Sequence, residues 1–217
     1  MELPGEVRIV EDVAAAFAEL VVARQPRSIA LSGAWLARDC YSALREVAPA
    51  ALDWSRVDVF FGDERFVPPE SPDSNEGQAR RVLLDHVMPR AIHGMYADLE
   101  LAAAADAYDA LIRRSPPIDL IHLGVGPDGH TASLFPHTAA LDETSRFVVP
   151  NADALHPHPR LTFTFAAIAR APLVVVAVSG AEKRDAIERL RAGEDLPAAR
   201  IRASEVIWLL DRDASGS

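Results

Sequence analysis

The chain has 217 residues, 49% of them hydrophobic and 25% charged, which is the composition of a globular protein long enough to bury a core, not of a disordered or fibrous one. A formal net charge of −10 argues against nucleic acid or an anionic membrane as a general partner, but an anionic small molecule remains open if cations are clustered locally. Lys183 is the only lysine, so such a cluster must be mostly arginine. Cys40 stands alone and cannot form an internal disulfide, Met1–Val10 carries charges where a signal peptide needs an apolar core, and no apolar run approaches membrane-spanning length, so the cytosol is the expected compartment.

In chain order, strand and helix alternate. Val7–Val10 is a short strand, and Asp12 caps a helix whose apolar face includes Val13, Phe17, Leu20 and Val21. Ser28–Leu31 is an apolar strand ending in Ser32-Gly33, and Trp35–Val47 is the next helix. Val57–Phe61 is a third strand with Gly62-Asp63-Glu64-Arg65 at its carboxyl end. A loop rich in Pro, Ser and Asp follows, and Ser74 caps a helix reaching Val87. Glu100–Arg114 is an Ala-rich helix. The Ser-Pro-Pro turn at 115–117 precedes Ile118–Leu123, a short apolar run that enters a glycine loop as a buried strand.

That loop, Gly124-Val125-Gly126-Pro127-Asp128-Gly129, ends at His130. Its glycines permit positive φ and close approach of backbone to a ligand. Thr131–Leu134 is expected to open a helix whose free N–H groups favour an anion. The spacing Gly124-x-Gly126-x-x-Gly129 also matches a dinucleotide fingerprint, which demands a long helix, a second strand and an acidic residue roughly 20 positions on. Here Pro136 stops the segment early and Glu143 follows a turn-like stretch. A glycine turn without a ligand is the other plain reading.

Further on, Phe147–Pro150 and Arg160–Phe165 are strands, Leu173–Val178 is a continuous apolar run suited to the middle of a parallel sheet, and Ala181–Arg191 is helical. Val206–Leu210 is a last strand and Asp211–Ser217 a frayed tail. The fold class is α/β: one domain, residues 1–217, with a mainly parallel sheet covered by helices on both faces. Ligands of such sheets bind beyond the carboxyl ends of the strands. Those ends carry Ser32-Gly33, Asp63-Glu64-Arg65, Gly124 to His130, and Ser179-Gly180 with Lys183 close behind.

The blocks GDERFVPPESPDSN (Gly62–Asn75), GVGPDGHTASLFP (Gly124–Pro136), RLTFTFAAIARA (Arg160–Ala171) and SGAEKRDAI (Ser179–Ile187) resemble those of the 6-phosphogluconolactonases, which share a fold with glucosamine-6-phosphate deaminases. The resemblance implies hydrolysis of 6-phospho-D-glucono-1,5-lactone to 6-phosphogluconate, with no cofactor, no metal, and a phosphorylated sugar lactone as the partner molecule. A monomer or weak homo-oligomer is expected. Lactone hydrolysis needs a base for water, donors for the oxyanion and an acid for the ring oxygen. His130 suits the first and third tasks and Asp128 can orient it.

Arg65 is the leading phosphate anchor, with Lys183 as a point charge and the Ser32-Gly33 amides as donors; its bland alternative is an ion pair with Asp63 or Glu64. Asp63, Asn75, Gly126, Gly129 and Arg160 complete the expected substrate-binding set.

Two departures stand out. The lactonases usually have Leu-Ser-Gly-Gly-Ser-Thr-Pro where this chain has Leu31-Ser32-Gly33-Ala34-Trp35-Leu36-Ala37, and His156-Pro157-His158-Pro159 replaces a Lys-Pro-Pro. Two histidines without a third ligand signal point to a surface loop more than to a metal. The alternatives are a deaminase or isomerase, in which a glutamate stands five residues after the loop histidine where this chain has Phe135, and a non-catalytic phosphosugar-binding protein, motivated by the altered 32–37 loop.

Overall fold

The computed structural model describes residues 3–216, and at 48–50 the backbone alone. β1 (Glu6–Ile9) leads into α1 (Val13–Arg24), where Asp12 accepts the Ala15 N–H at 3.0 Å and Val13, Phe17, Leu20 and Val21 are buried. Next come β2 (Ser28–Leu31), α2 (Ala34–Ala51), β3 (Asp58–Phe61), β4 (Asp63–Arg65), α3 (Asn75–Ala79), β5 (Ala91–Ile92) and α4 (Leu101–Arg114). The second half adds β6 (Leu120–Leu123), β7 (Val148–Asn151), β8 (Arg160–Phe163), α5 (Phe165–Ile168), β9 (Leu173–Val178), α6 (Arg184–Arg191), β10 (Glu205–Leu210) and α7 (Arg212–Ser215).

Seven strands form one sheet in the order β1-β10-β9-β6-β2-β3-β5, with every pairing parallel. β6 and β9 are buried at every residue, so both faces of the sheet are covered, as the unbroken apolar run of β9 requires. From β2 the chain builds outward through β3 to β5, and from β6 it builds the other way through β9 and β10. The carboxyl ends of β2 and β6 therefore flank a topological switch point, the crevice where open α/β sheets place a ligand.

Several expectations are corrected. The strands at 147–150 and 160–165 leave the parallel sheet: β7 and β8 join β4 in a separate antiparallel sheet, order β4-β8-β7, with Arg65 directly opposite Arg160. Gly62 is the junction, donating its N–H to Leu31 O at 2.9 Å and accepting from Phe163 N at 2.7 Å, so it bonds to both sheets. Thr131–Leu134 is a turn and not a helix. Ala132 sits at φ 48° and the Ser133 N–H is taken by Thr162 Oγ1 at 3.1 Å, leaving no helical N-terminus to hold an anion.

Ser74 does cap its helix, accepting Gly77 N–H at 3.0 Å, but a π-helical turn at Arg80–Leu84 follows and the helix ends short of Val87. The tail is not frayed: Asp211 accepts the Ala214 N–H at 2.7 Å and α7 buries Ala214 and Ser215. Met1 and Glu2 of the N-terminal segment and Ser217 of the tail lie outside the described residues. Among the described residues no helix is long and apolar enough to cross a membrane.

Candidate active site

A cavity of about 250 Å³ opens over the carboxyl ends of β2, β3, β6 and β9. Ser32 and Gly33 reach its wall from β2, Asp63 and Arg65 from β4, Asn75 from α3, Gly126 and His130 from the glycine loop, Arg160 from β8, and Lys183 from the turn before α6. Two expected residues stand behind that wall. Asp128 lies beneath His130, and Gly129 packs on Leu196, where its φ of +81° and a 2.7 Å approach to Leu196 Cδ1 leave no place for a Cβ.

The glycine loop exists to hold one imidazole. His130 Nδ1 lies 2.6 Å from Asp128 Oδ1, and the Gly126 N–H donates to His130 O at 2.8 Å. A Cβ on Gly126 would come within 2.2 Å of the His130 ring, so that glycine makes room for the imidazole itself. Burial alone would raise the Asp128 carboxyl, but the side-chain bond to His130, its charge and its backbone N–H outweigh this and hold the group down at about 2. With Nδ1 hydrogen-bonded to a carboxylate, Nε2 is the nitrogen that carries a lone pair when the ring is neutral.

Three cations line the cavity. Arg160 is buried, donates to His158 O at 2.9 Å, and has no carboxylate within ion-pair distance among the described residues. Burial, and after it the charge of Arg65, disfavours its protonated form. Arg65 is not paired with Asp63 or Glu64 either; its guanidinium donates to Asp73 O at 2.7 Å. Lys183 is half-buried and pushed down by that burial, against the charges of Glu182 and Asp128. In a chain of net charge −10, three cations on one concave wall form a local positive field.

Glu64 fixes the corner that presents Arg65 and Asn75. It accepts the backbone N–H of Arg65 at 2.7 Å, of Asn75 at 2.7 Å and of Glu76 at 2.8 Å, and the Ser74 hydroxyl at 2.9 Å. Burial pushes its carboxyl up to about 7 against those four donors, which favour the anion. Asn75 Nδ2 donates to Asp63 O at 3.0 Å, while its buried Oδ1 has no partner among the described residues and lies where a Cβ on Gly33 would fall, 1.9 Å away. Asp63 in turn accepts the Ser133 hydroxyl at 2.7 Å, tying the turn after His130 to the small sheet.

The Ser32 amide is not free for a phosphate. It donates to Tyr41 Oη at 2.6 Å, and Tyr41 Oη lies 3.1 Å from Ser32 O and 3.0 Å from His122 Nδ1. His122, in β6, reaches the cavity floor; burial pushes it down to about 3 and keeps it neutral. Neither Tyr41 nor His122 stood out in the sequence, because each sits inside an apolar periodic run and only the fold brings them under the loop. The Gly33 amide has no partner among the described residues and remains available as a donor.

Ala34 follows at φ 75°, a left-handed position that favours glycine. Ala34→Gly is therefore expected to stabilise the fold by about 1 kcal/mol and to raise Tm by about 2–4 °C. An unchanged or lower Tm in differential scanning calorimetry would mean that the left-handed alanine carries no strain. Trp35 stands half in solvent at the cavity lip, where a bulky indole replaces the hydroxyl expected by resemblance.

His156 lines the cavity, whereas His158 reaches away to Asp73 Oδ2 at 3.0 Å, so the two histidines of the 156–159 loop do not converge. Among the described residues no group of three or more His, Cys, Asp or Glu side chains is placed to hold a metal ion.

Residues 6–208 match the family model described as glucosamine-6-phosphate isomerases/6-phosphogluconolactonase. The chain is 39% identical over 216 residues to a 6-phosphogluconolactonase of Mycobacterium leprae, covering 90% of this chain and 86% of the relative. It is 43% identical over 211 residues to a 6-phosphogluconolactonase of a Synechocystis species, covering 89% and 85%. The solved structure of a 6-phosphogluconolactonase from Trypanosoma cruzi superposes with a TM-score of 0.88 at 25% identity, over 100% of this chain and 98% of that one. With the fold, the switch-point cavity and these matches in hand, the chain belongs to the glucosamine-6-phosphate isomerase/6-phosphogluconolactonase family.

Proposed function

We propose that the protein hydrolyses 6-phospho-D-glucono-1,5-lactone to 6-phospho-D-gluconate, with His130 as the general base. The observation that carries this reading is the His130–Asp128 pair at 2.6 Å on the same cavity wall as Arg65, Arg160 and Lys183. A base and a cation cluster in one cavity suit an ester at one end of a substrate and a phosphate at the other. The relatives named 6-phosphogluconolactonase supply the substrate class.

Hydrolysis begins when His130 Nε2 takes a proton from water as the water oxygen bonds to the lactone carbonyl carbon. Asp128 holds the tautomer and stabilises the imidazolium that forms. Collapse of the tetrahedral intermediate breaks the bond from the carbonyl carbon to the ring oxygen, which takes a proton from an imidazolium on the cavity wall as it leaves. Asp63, Asn75 and Gly33 line the same cavity and supply polar groups for the sugar hydroxyls and the oxyanion. In the deaminase alternative, ring opening relies on a carboxylate where this chain has Phe135, which is buried and apolar.

The test is a coupled assay in which the lactone is generated in situ and the rate is read against a no-enzyme control, because the lactone also opens spontaneously. No rate above the control would overturn the reading. The depressed Asp128 carboxyl adds a pH expectation. Its folded-state value lies below the ordinary one, so it is ionised throughout the range above pH 4 and only protonates as pH falls toward about 2. Any loss of kcat/KM on acidification above pH 4 is therefore not the titration of Asp128 and should persist in Asp128→Asn, at a lower absolute rate. Disappearance of that acid limb in the variant would make Asp128 the titrating group.

A further inference from the structure

The loop before β8 carries a second histidine–aspartate pair on the same cavity. His156 Nδ1 lies 2.7 Å from Asp153 Oδ1, and Asp153 also accepts the backbone N–H of Leu155 at 3.0 Å and of His156 at 2.9 Å. The His130 pair is built alike: Nδ1 on the carboxylate two residues upstream, with the His130 backbone N–H on the same oxygen at 3.2 Å. In both rings Nε2 has no protein partner among the described residues. The rings belong to one cluster, with His156 stacked on Phe135 at 4.2 Å and 16°, and edge-on to His130 at 5.4 Å and 85°. Phe135 also meets His130 edge-on at 5.0 Å.

We propose that His156 is the second proton-transfer group of the lactone hydrolysis, the acid that protonates the departing ring oxygen while His130 serves as the base. The proposal rests on the lactonase reading. A sugar alkoxide is a poor leaving group, and its departure is assisted when a proton arrives as the bond breaks. One imidazole can return the proton it took only by serving two oxygens in turn. Two imidazoles, each oriented by a carboxylate, serve the two oxygens separately.

The balance is simple. The water oxygen bonds to the carbonyl carbon and one water proton goes to His130 Nε2. The bond from carbon to ring oxygen breaks, and its electron pair takes the proton from His156 Nε2. A proton then passes from the His130 imidazolium to His156, and the product carboxylic acid loses its own proton to water.

The charged and titratable groups facing His156 are compatible with this role. Asp153 on its own loop stabilises the imidazolium, Arg160 on β8 feels the Asp153 charge, and the glycine loop presents His130 with Asp128. The 131–136 turn contributes only the apolar ring of Phe135. His158 anchors the loop end from outside, through Asp73.

The experiment uses the full chain in the coupled lactone assay, with wild type, His130→Ala, His156→Gln and Asp153→Asn compared from pH 5 to 9. His156→Gln is expected to lower kcat about 10²-fold with KM within about threefold, and to flatten the alkaline limb while the acid limb stays. Asp153→Asn should follow it with a smaller loss. In His156→Ala, added imidazole should restore part of the rate, which a packing role does not allow. A His156→Gln enzyme within twofold of wild type, with both limbs intact, overturns the proposal, as does a rise in KM at unchanged kcat. Loss of the cooperative thermal transition in both His156→Gln and Asp153→Asn also overturns it, by making the pair part of the fold. A wild type with no rate above control is a different failure, that of the lactonase reading itself.

Discussion

His130→Ala is expected to lower kcat by about 10²–10⁴-fold, the usual contribution of a positioned acid or base. The structure gives this variant little other means of acting. The His130 side chain is partly exposed, bonds among the described residues only to Asp128, and touches the rings of Phe135 and His156, so its removal leaves a gap at the cavity surface and not in the core. The loop backbone is held independently, by Gly126 N–H to His130 O, by Gly129 N–H to Gly126 O at 2.9 Å, and by the Thr131 hydroxyl to Gly124 O at 2.9 Å. KM should change by less than kcat, since the cations that face an anion are untouched. Steady-state kinetics beside a thermal melt checks both claims. A kcat within threefold of wild type would remove His130 from the chemistry, and a lost transition would make it structural.

How much of this was legible in the sequence depended on whether the signal was local. The parallel strands were, because a strand buried on both faces is mostly apolar and appears as a run, unbroken in Leu173–Val178 and interrupted only by His122 in Leu120–Leu123. The glycine loop and His130 were legible for the same reason: a turn, a strand end and an imidazole lie within a dozen residues. The small antiparallel sheet was not. β4, β7 and β8 are three or four residues long, and their pairing joins Asp63–Arg65 to a segment about a hundred positions away, which no periodicity encodes.

The turn at Thr131–Leu134 failed as a helix because its backbone is fixed from outside, by Thr162 on Ser133 N and by Asn151 Nδ2 on Ser133 O at 2.8 Å. Ser32 was read as a phosphate donor because nothing near it in sequence shows that Tyr41, one strand-to-helix turn later, takes its amide. His156 was assigned to a surface loop on the absence of a third ligand, and stacking on Phe135 was invisible without the fold.

The proposed anion site is where the structure moves the weight most. Arg65 was the expected anchor, yet it is half-buried and already donates to Asp73 O. Arg160 is the buried cation, directly across the strand pair from Arg65, and it lacks a carboxylate partner among the described residues. A buried guanidinium facing a second one is held against both desolvation and repulsion, a state that an arriving phosphate relieves. Arg160→Gln is therefore expected to raise KM by roughly 10- to 150-fold, the equivalent of about 1.5 to 3 kcal/mol for a charge-assisted bond, with Arg65→Ala smaller. The unliganded protein should keep most of its stability, because the repulsion from Arg65 goes with the attraction to Asp63, Glu64 and Asp153, and among the described residues the bond to His158 O is the hydrogen bond lost. Wild type should also gain Tm as inorganic phosphate is added, and Arg160→Gln should gain much less, since ligand stabilisation scales with occupancy. If Arg160 instead braces the 156–159 loop, the outcome inverts: Tm of the free variant falls by several degrees, while its KM and its response to phosphate stay those of wild type. Kinetics and phosphate-dependent melts on the same preparation separate the two, and an unchanged phosphate response would remove Arg160 from the site.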